Sequence, residues 1–99
     1  MGEFLVIPYD WIDLLDAIPT RHAHRLMLRL MRISWRLKSA TIKVTNRMFL
    51  DWKMDRHTKS KTLRRLEQAG LISVEWRPRK SPLVTILFPA GHPARRYLG

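Results

Sequence analysis

The chain contains no cysteine. Disulfide staples, thiol nucleophiles and cysteine-ligated zinc are therefore excluded. Only four glycines are present, and no two are adjacent, so no glycine-rich phosphate loop can be drawn. Uninterrupted apolar runs are short. The most apolar region, residues 26–37, is broken by Arg29, Arg32 and Arg36, and no membrane span is expected. The opening residues lack the basic and apolar regions of a secretory signal. Val6 stands where a myristoylation motif has serine or threonine. Acids are scarce, eight in all, and too scattered for a paired-carboxylate site. No serine, histidine and carboxylate fall at a recognisable catalytic spacing. His22 and His24 are about 200° apart around a helix, so their rings diverge and no metal site is expected. Neither an enzyme nor a cofactor is expected.

What is abundant is positive charge, and its distribution is uneven. The chain has 19 lysines and arginines, a formal net charge of +11 and a pI near 11.3. Residues 1–20 carry Glu3, Asp10, Asp13 and Asp16 and no lysine or arginine, whereas all the cations follow. Such an excess on a domain of this size is the electrostatic footprint of a protein that meets a polyanion. Basic proteins with other roles exist, including inhibitors of nucleic-acid enzymes, so charge alone does not decide. Ninety-nine residues, 45% of them hydrophobic, suit one domain with a single core.

Along the chain, residues 3–7 read as a short extended segment before Pro8, which disfavours helix ahead of it. Asp10 is the expected cap of an acidic helix to about Ile18, with Trp11, Leu14, Leu15 and Ile18 on one face. A second helix is expected over residues 21–37. Its apolar residues, among them Leu26, Leu28, Leu30, Met31, Trp35 and Leu37, fill more than half its circumference. Arg25, Arg29, Arg32 and Arg36 fall within about 60° of one another. "TIKVT", 41–45, alternates like a short strand. Thr45 then caps a short helix, "NRMFLDW", with Met48, Phe49 and Trp52 inward. "KMD" is a tight turn. Asp55 caps a helix that ends at Gly70, a C′ glycine. Beyond it the period becomes two. "LISVEW" places Ile72, Val74 and Trp76 on one face, and "LVTILF" does the same for Val84, Ile86 and Phe88. "RPRKSP", 77–82, joins them as a hairpin tip. Residues 89–99 lack a period and are expected to fray. The fold class expected is mainly α with a small β-hairpin, in one domain.

This order resembles the winged helix-turn-helix fold of many bacterial regulators, including the MarR-like ones, with an extra N-terminal helix. The resemblance covers residues 21–88 and is carried by "VTNRMFLDWKMDRHTKSKTLRRLEQAGLISVEWR", above all by "TLRRLEQAGLISV". It implies that residues 56–69 form a recognition helix and residues 77–82 a wing. The helical wheel agrees about faces: Thr62, Leu63, Leu66 and Ala69 share an inner stripe, while His57, Ser60, Lys61, Arg64 and Gln68 share an outer side and Arg65 sits at its edge. These five outer residues are the base-reading candidates, since arginine and lysine suit guanine O6/N7 in the major groove. Lys59 departs from the pattern on the inner side, where its stem can cover the core while its amine reaches out.

Phosphate contacts are expected from Arg56 and Arg65, from Lys43, Thr45, Asn46, Arg47 and Lys53 around the short helix, and from Arg77, Arg79 and Lys80 at the hairpin tip. The Arg25, Arg29, Arg32 and Arg36 stripe is a second basic surface. Its alternatives are a solvated face or pairing with Asp13 and Asp16. The function expected is duplex DNA binding by a transcriptional regulator, cytoplasmic and associated with the nucleoid. A homodimer through residues 21–37 and the acidic helix is a further expectation. Two alternatives stand beside it. One is a winged helix turned to protein binding, such as a phage or mobile-element inhibitor of a nucleic-acid machine. The other, RNA binding, is weakened because no exposed aromatic platform is evident.

Overall fold

The computed structural model describes residues 7–18, 22–51, 53–89 and 92. The extended segment expected at residues 3–7 and the inward placement of Phe49 and Trp52 lie largely or wholly outside that description. The element order is α1 (Tyr9–Asp16), α2 (His22–Leu37), β1 (Thr41–Lys43), α3 (Asn46–Asp51), α4 (Arg56–Gln68), β2 (Ile72–Glu75) and β3 (Leu83–Ile86). The architecture is mixed α+β, with a small antiparallel sheet in the order β1-β3-β2.

The sheet is larger than the hairpin expected from the sequence. β3 pairs with β2 in the register Ile72↔Ile86 and Val74↔Val84, and its other edge pairs with β1, Ile42↔Val84. Ile42, Ile72, Val84 and Ile86 are buried together, and the outward-facing Thr41 and Thr85 join hydroxyls at 2.9 Å. Trp76 does not share the inner face. β2 ends at Glu75, and Trp76 remains 38% exposed.

Helix ends follow local chemistry. Gly70, at φ +80, lets the Gly70 N–H reach the Glu67 carbonyl and the Leu71 N–H reach the Leu66 carbonyl. This is a Schellman closure, which demands a left-handed residue. α2 closes in the same way around Lys38 at φ 54, without glycine. There the buried Ser34 hydroxyl donates to the Ser39 carbonyl at 2.6 Å and fixes the turn. Asp55 caps α4 as expected, accepting the Thr58 N–H at 2.7 Å. Thr45 accepts the Met48 N–H at the start of α3. Asp10 is not a cap. Pro8, with φ already at −60, takes that position, and its carbonyl accepts the Trp11 N–H. Asp10 falls within the first turn.

The core lies between α2, α4 and the sheet. α2 contributes Ala23, Leu26, Met27, Leu30 and Met31, α4 contributes Leu63 and Leu66, and the strands add the residues above. The buried side of α2 is narrower than expected, because Leu28, Trp35 and Leu37 are exposed. α1 covers one end through Trp11 and Leu15; Leu14, expected beside them, is 39% exposed. The Trp11 ring stacks on Phe88 at 5.7 Å, and Phe88 stacks on His92 at 4.7 Å. His92 thus packs on Phe88, while most of residues 89–99, for which fraying is expected, lie outside the described residues. Leu66 is fully buried in the middle of the α4 stripe. Leu66→Ala is expected to cost roughly 2–4 kcal/mol in chemical denaturation, and an unchanged midpoint would mean that this face does not bear on the core.

Candidate nucleic-acid interface

Because Lys59, Thr62, Leu63 and Leu66 turn inward, the opposite side of α4 is fixed as the outer one. Arg56, His57, Lys61, Arg64 and Gln68 are exposed there, with Ser60 and Arg65 half-buried at its borders. The one acid of the helix, Glu67, does not disturb this surface. Its carboxylate accepts the Val74 N–H at 3.1 Å and ties α4 to β2. The surface left outward on α4 is thus cationic and polar. At the helix start, the Asp55 carboxyl is held below its ordinary range, chiefly by the hydrogen bond from the Thr58 N–H.

The remaining candidates separate by environment. Lys43, Asn46, Arg47, Lys53, Arg79 and Lys80 are exposed, and Thr45 is half-buried. Arg77 is committed within the hairpin tip: its Nε and Nη2 donate to the Ser81 carbonyl at 3.2 and 2.7 Å. That clamp and the Lys80 N–H to Arg77 carbonyl bond shape the tip, and Arg79 sits at its crest with φ 59. The tip therefore presents Arg79 and Lys80, while Arg77 holds its form. Asn46 is also engaged, since its Oδ1 accepts from the Lys59 amine at 2.7 Å.

Two of these contacts escaped the sequence. The first is Lys59 to Asn46. Lys59 is buried on the core side of α4, and its amine ends on α3 instead of reaching out to solvent. Burial lowers its pKa, and the neighbouring Arg56 charge adds to the effect. The second is Arg64 to Trp76. The guanidinium lies over the indole ring, 4.8 Å from its centroid, so the exposed tryptophan after β2 orients a cation of α4. The mismatch between the alternation of "LISVEW" and the end of β2 at Glu75 hid it. Trp76 is thus an exposed aromatic, though Arg64 lies over its ring.

The α2 stripe is also outward, with Arg25, Arg29, Arg32 and Arg36 all exposed. Asp16, one of its possible partners, instead meets His24 Nε2 at 3.0 Å. That contact joins α1 to α2 and places the second histidine of the His22–His24 pair. No helix among the described residues is long and apolar enough to cross a membrane. No family model matches the chain, and no curated protein or solved structure matches it.

A lysine whose charged form is disfavoured by folding subtracts stability while it is protonated. The sign follows from proton binding: between the lowered folded-state pKa and the unfolded value, the unfolded chain holds more protons, so stability rises with pH there. Lys59→Met keeps the stem and removes the charge. It is expected to raise Tm at neutral pH, and the gain over the native chain should shrink as pH approaches the ordinary lysine range. A lower Tm for the variant at neutral pH would show that the bond to Asn46 outweighs the burial of charge.

Proposed function

We propose that this chain is a winged-helix DNA-binding protein acting as a transcriptional regulator. α3 and α4 form the helix-turn-helix, α4 enters the major groove, and the β2–β3 tip is the wing. The observation that carries the reading is the outer side of α4, where Arg56, His57, Lys61, Arg64 and Gln68 stand together while Glu67 is drawn away to β2. A helix with that face fits the major groove, where side chains can meet base edges. The order of the strands, with β1 closing onto β3 beside the helix pair, supports the winged-helix part of it. Arg79 and Lys80 at the tip, with Lys43, Arg47 and Lys53 around α3, supply backbone contacts. Trp76 restrains the Arg64 guanidinium before any partner arrives, which lowers the ordering cost of a bidentate contact.

A second reading is favoured by the acidic helix α1, which a DNA-facing surface would not need: a winged helix turned to protein binding, as in an inhibitor of a nucleic-acid machine. The discriminating measurement is duplex binding against ionic strength. Four to six phosphate contacts correspond to a log–log slope of about −4 to −5 on B-DNA. A flat response, or no binding at low salt, would remove the DNA reading and leave the protein-binding one.

Within the DNA reading, position on the fold separates the substitutions. Lys61→Ala and Arg64→Ala remove groups on the outer side of α4. Each is expected to cost about 1–3 kcal/mol on a selected site and to flatten discrimination against a scrambled one. Arg79→Ala removes a charge at the tip, so affinity should fall alike for both duplexes and the salt slope by about one. Equal losses on both duplexes for all three variants would replace the regulator with a sequence-indifferent architectural protein.

A further inference from the structure

The arginine side of α2 has no role in that reading, yet it is as strongly charged as the side of α4 that does. Arg25, Arg29, Arg32 and Arg36 lie in one sector of about 60°, spread over about 16 Å of helix. All are exposed. Arg25, Arg32 and Arg36 have no ion pair or hydrogen-bond partner among the described residues, and α2 contains no acid. Lys38 adds a further cation where α2 ends, its amine 5.6 Å above the Trp35 ring. This surface and the outer side of α4 cannot share one straight duplex. α2 and α4 bury their opposite sides, Leu26, Leu30 and Met31 on one and Leu63 and Leu66 on the other, in the same core. The two charged faces therefore look away from each other across a molecule about 26–34 Å wide.

We propose that the arginine side of α2 is a second phosphate-binding surface, so that one molecule holds two segments of duplex DNA at once. The inference rests on the reading of α4 as the first such surface. Arginine alone, with no lysine in the stripe, suits it, because the planar guanidinium meets phosphate oxygens in pairs. A phosphate strand advances about 3.4 Å per nucleotide, so 16 Å spans about four or five of them. Two other occupants fit less well. A second copy of the chain meeting this face with the same face would set arginine against arginine. An acidic protein would want an apolar centre to its interface, and here the exposed apolar residues of α2, Leu28, Trp35 and Leu37, fall outside the arginine sector, Trp35 with Lys38 above its ring.

The test captures one duplex with another. A duplex bearing the selected site is fixed to beads, the full chain is added, and a second, fluorescent duplex is supplied. The native chain is compared with the triple variant Arg25→Gln, Arg32→Gln, Arg36→Gln. Glutamine keeps helix propensity at these exposed positions, and an unchanged melting curve confirms the fold. The triple variant is expected to bind the selected site within about twofold of the native chain but to retain about a fifth or less of the fluorescent duplex, having lost three phosphate contacts on the far side. Equal capture by both proteins would overturn the proposal, since bridging would then come from self-association through another face. So would binding of one duplex by the native chain without capture of a second. Binding of polyglutamate by the native chain, lost in the triple variant and accompanied by no duplex capture, would also overturn it and assign the face to an acidic protein. If the native chain binds no duplex at all, the reading of α4 falls first and this inference with it.

Discussion

The contact of Leu63 and Leu66 with the core sets the direction of every charge on α4. A helix of this composition, with five cations in thirteen residues, has little reason to hold one rotational setting in isolation, because propensity alone is indifferent to which side faces solvent. Seating two leucines and Thr62 against α2 and β2 removes that freedom. Once the setting is chosen, Lys61, Arg64 and Gln68 must emerge together, and Lys59 must emerge on the wrong side. The bond from Lys59 to Asn46 is the local remedy for that last consequence. A register shift of one residue would bury Arg64 or expose Leu63, either of them costly.

The polar contacts around this seat form a coherent set. Glu67 is taken by the backbone of β2, Arg77 by the carbonyl of Ser81, and Asp55 by the first turn of α4. In each case a charged side chain is occupied in shaping the fold, as expected for Asp55 and unforeseen for Glu67 and Arg77. The charges left over, Arg56, Lys61, Arg79 and Lys80 among them, are the ones with nothing structural to do. This division bears on net charge as well. Two of the four acids that follow residue 20, Asp55 and Glu67, are engaged by backbone N–H groups, while most of the cations around them stay outward without such a bond.

Much of this was legible in the residues because period and punctuation are local. The leucines of α4, the Gly70 stop, the Asp55 cap and the alternation of Ile72, Val74, Val84 and Ile86 each depend on neighbours a few positions away. What could not be read was set by distant partners. β1 pairing with β3 requires knowing that residues 41–43 return to the hairpin. Trp76 continues the alternation of β2 on paper, but the ladder stops one residue earlier and the ring turns to Arg64. Asp10 lost the cap because Pro8 had already set the entry geometry. Leu28 and Trp35 looked like core because apolar type does not reveal how many neighbours a helix has. For the candidate site, the outer face of α4 was foreseeable, whereas the removal of Arg77 and the engagement of Asn46 and Lys59 were not.

The stack of Trp11 on Phe88 and His92 has a consequence for the order in which the chain acquires its shape. It joins the helix at one end of the described chain to the segment at the other, and closing it before the intervening residues are gathered costs the entropy of a long loop. Contacts of such separation are expensive in loop entropy until the intervening structure has formed. α2, α4 and the sheet can assemble from nearer partners, so the stack favours α1 docking late, as a latch. The latch also makes the two ends share a fate: loosening Phe88 or His92 withdraws a ring that Trp11 rests on, and α1 loses its anchor without any change in its own sequence.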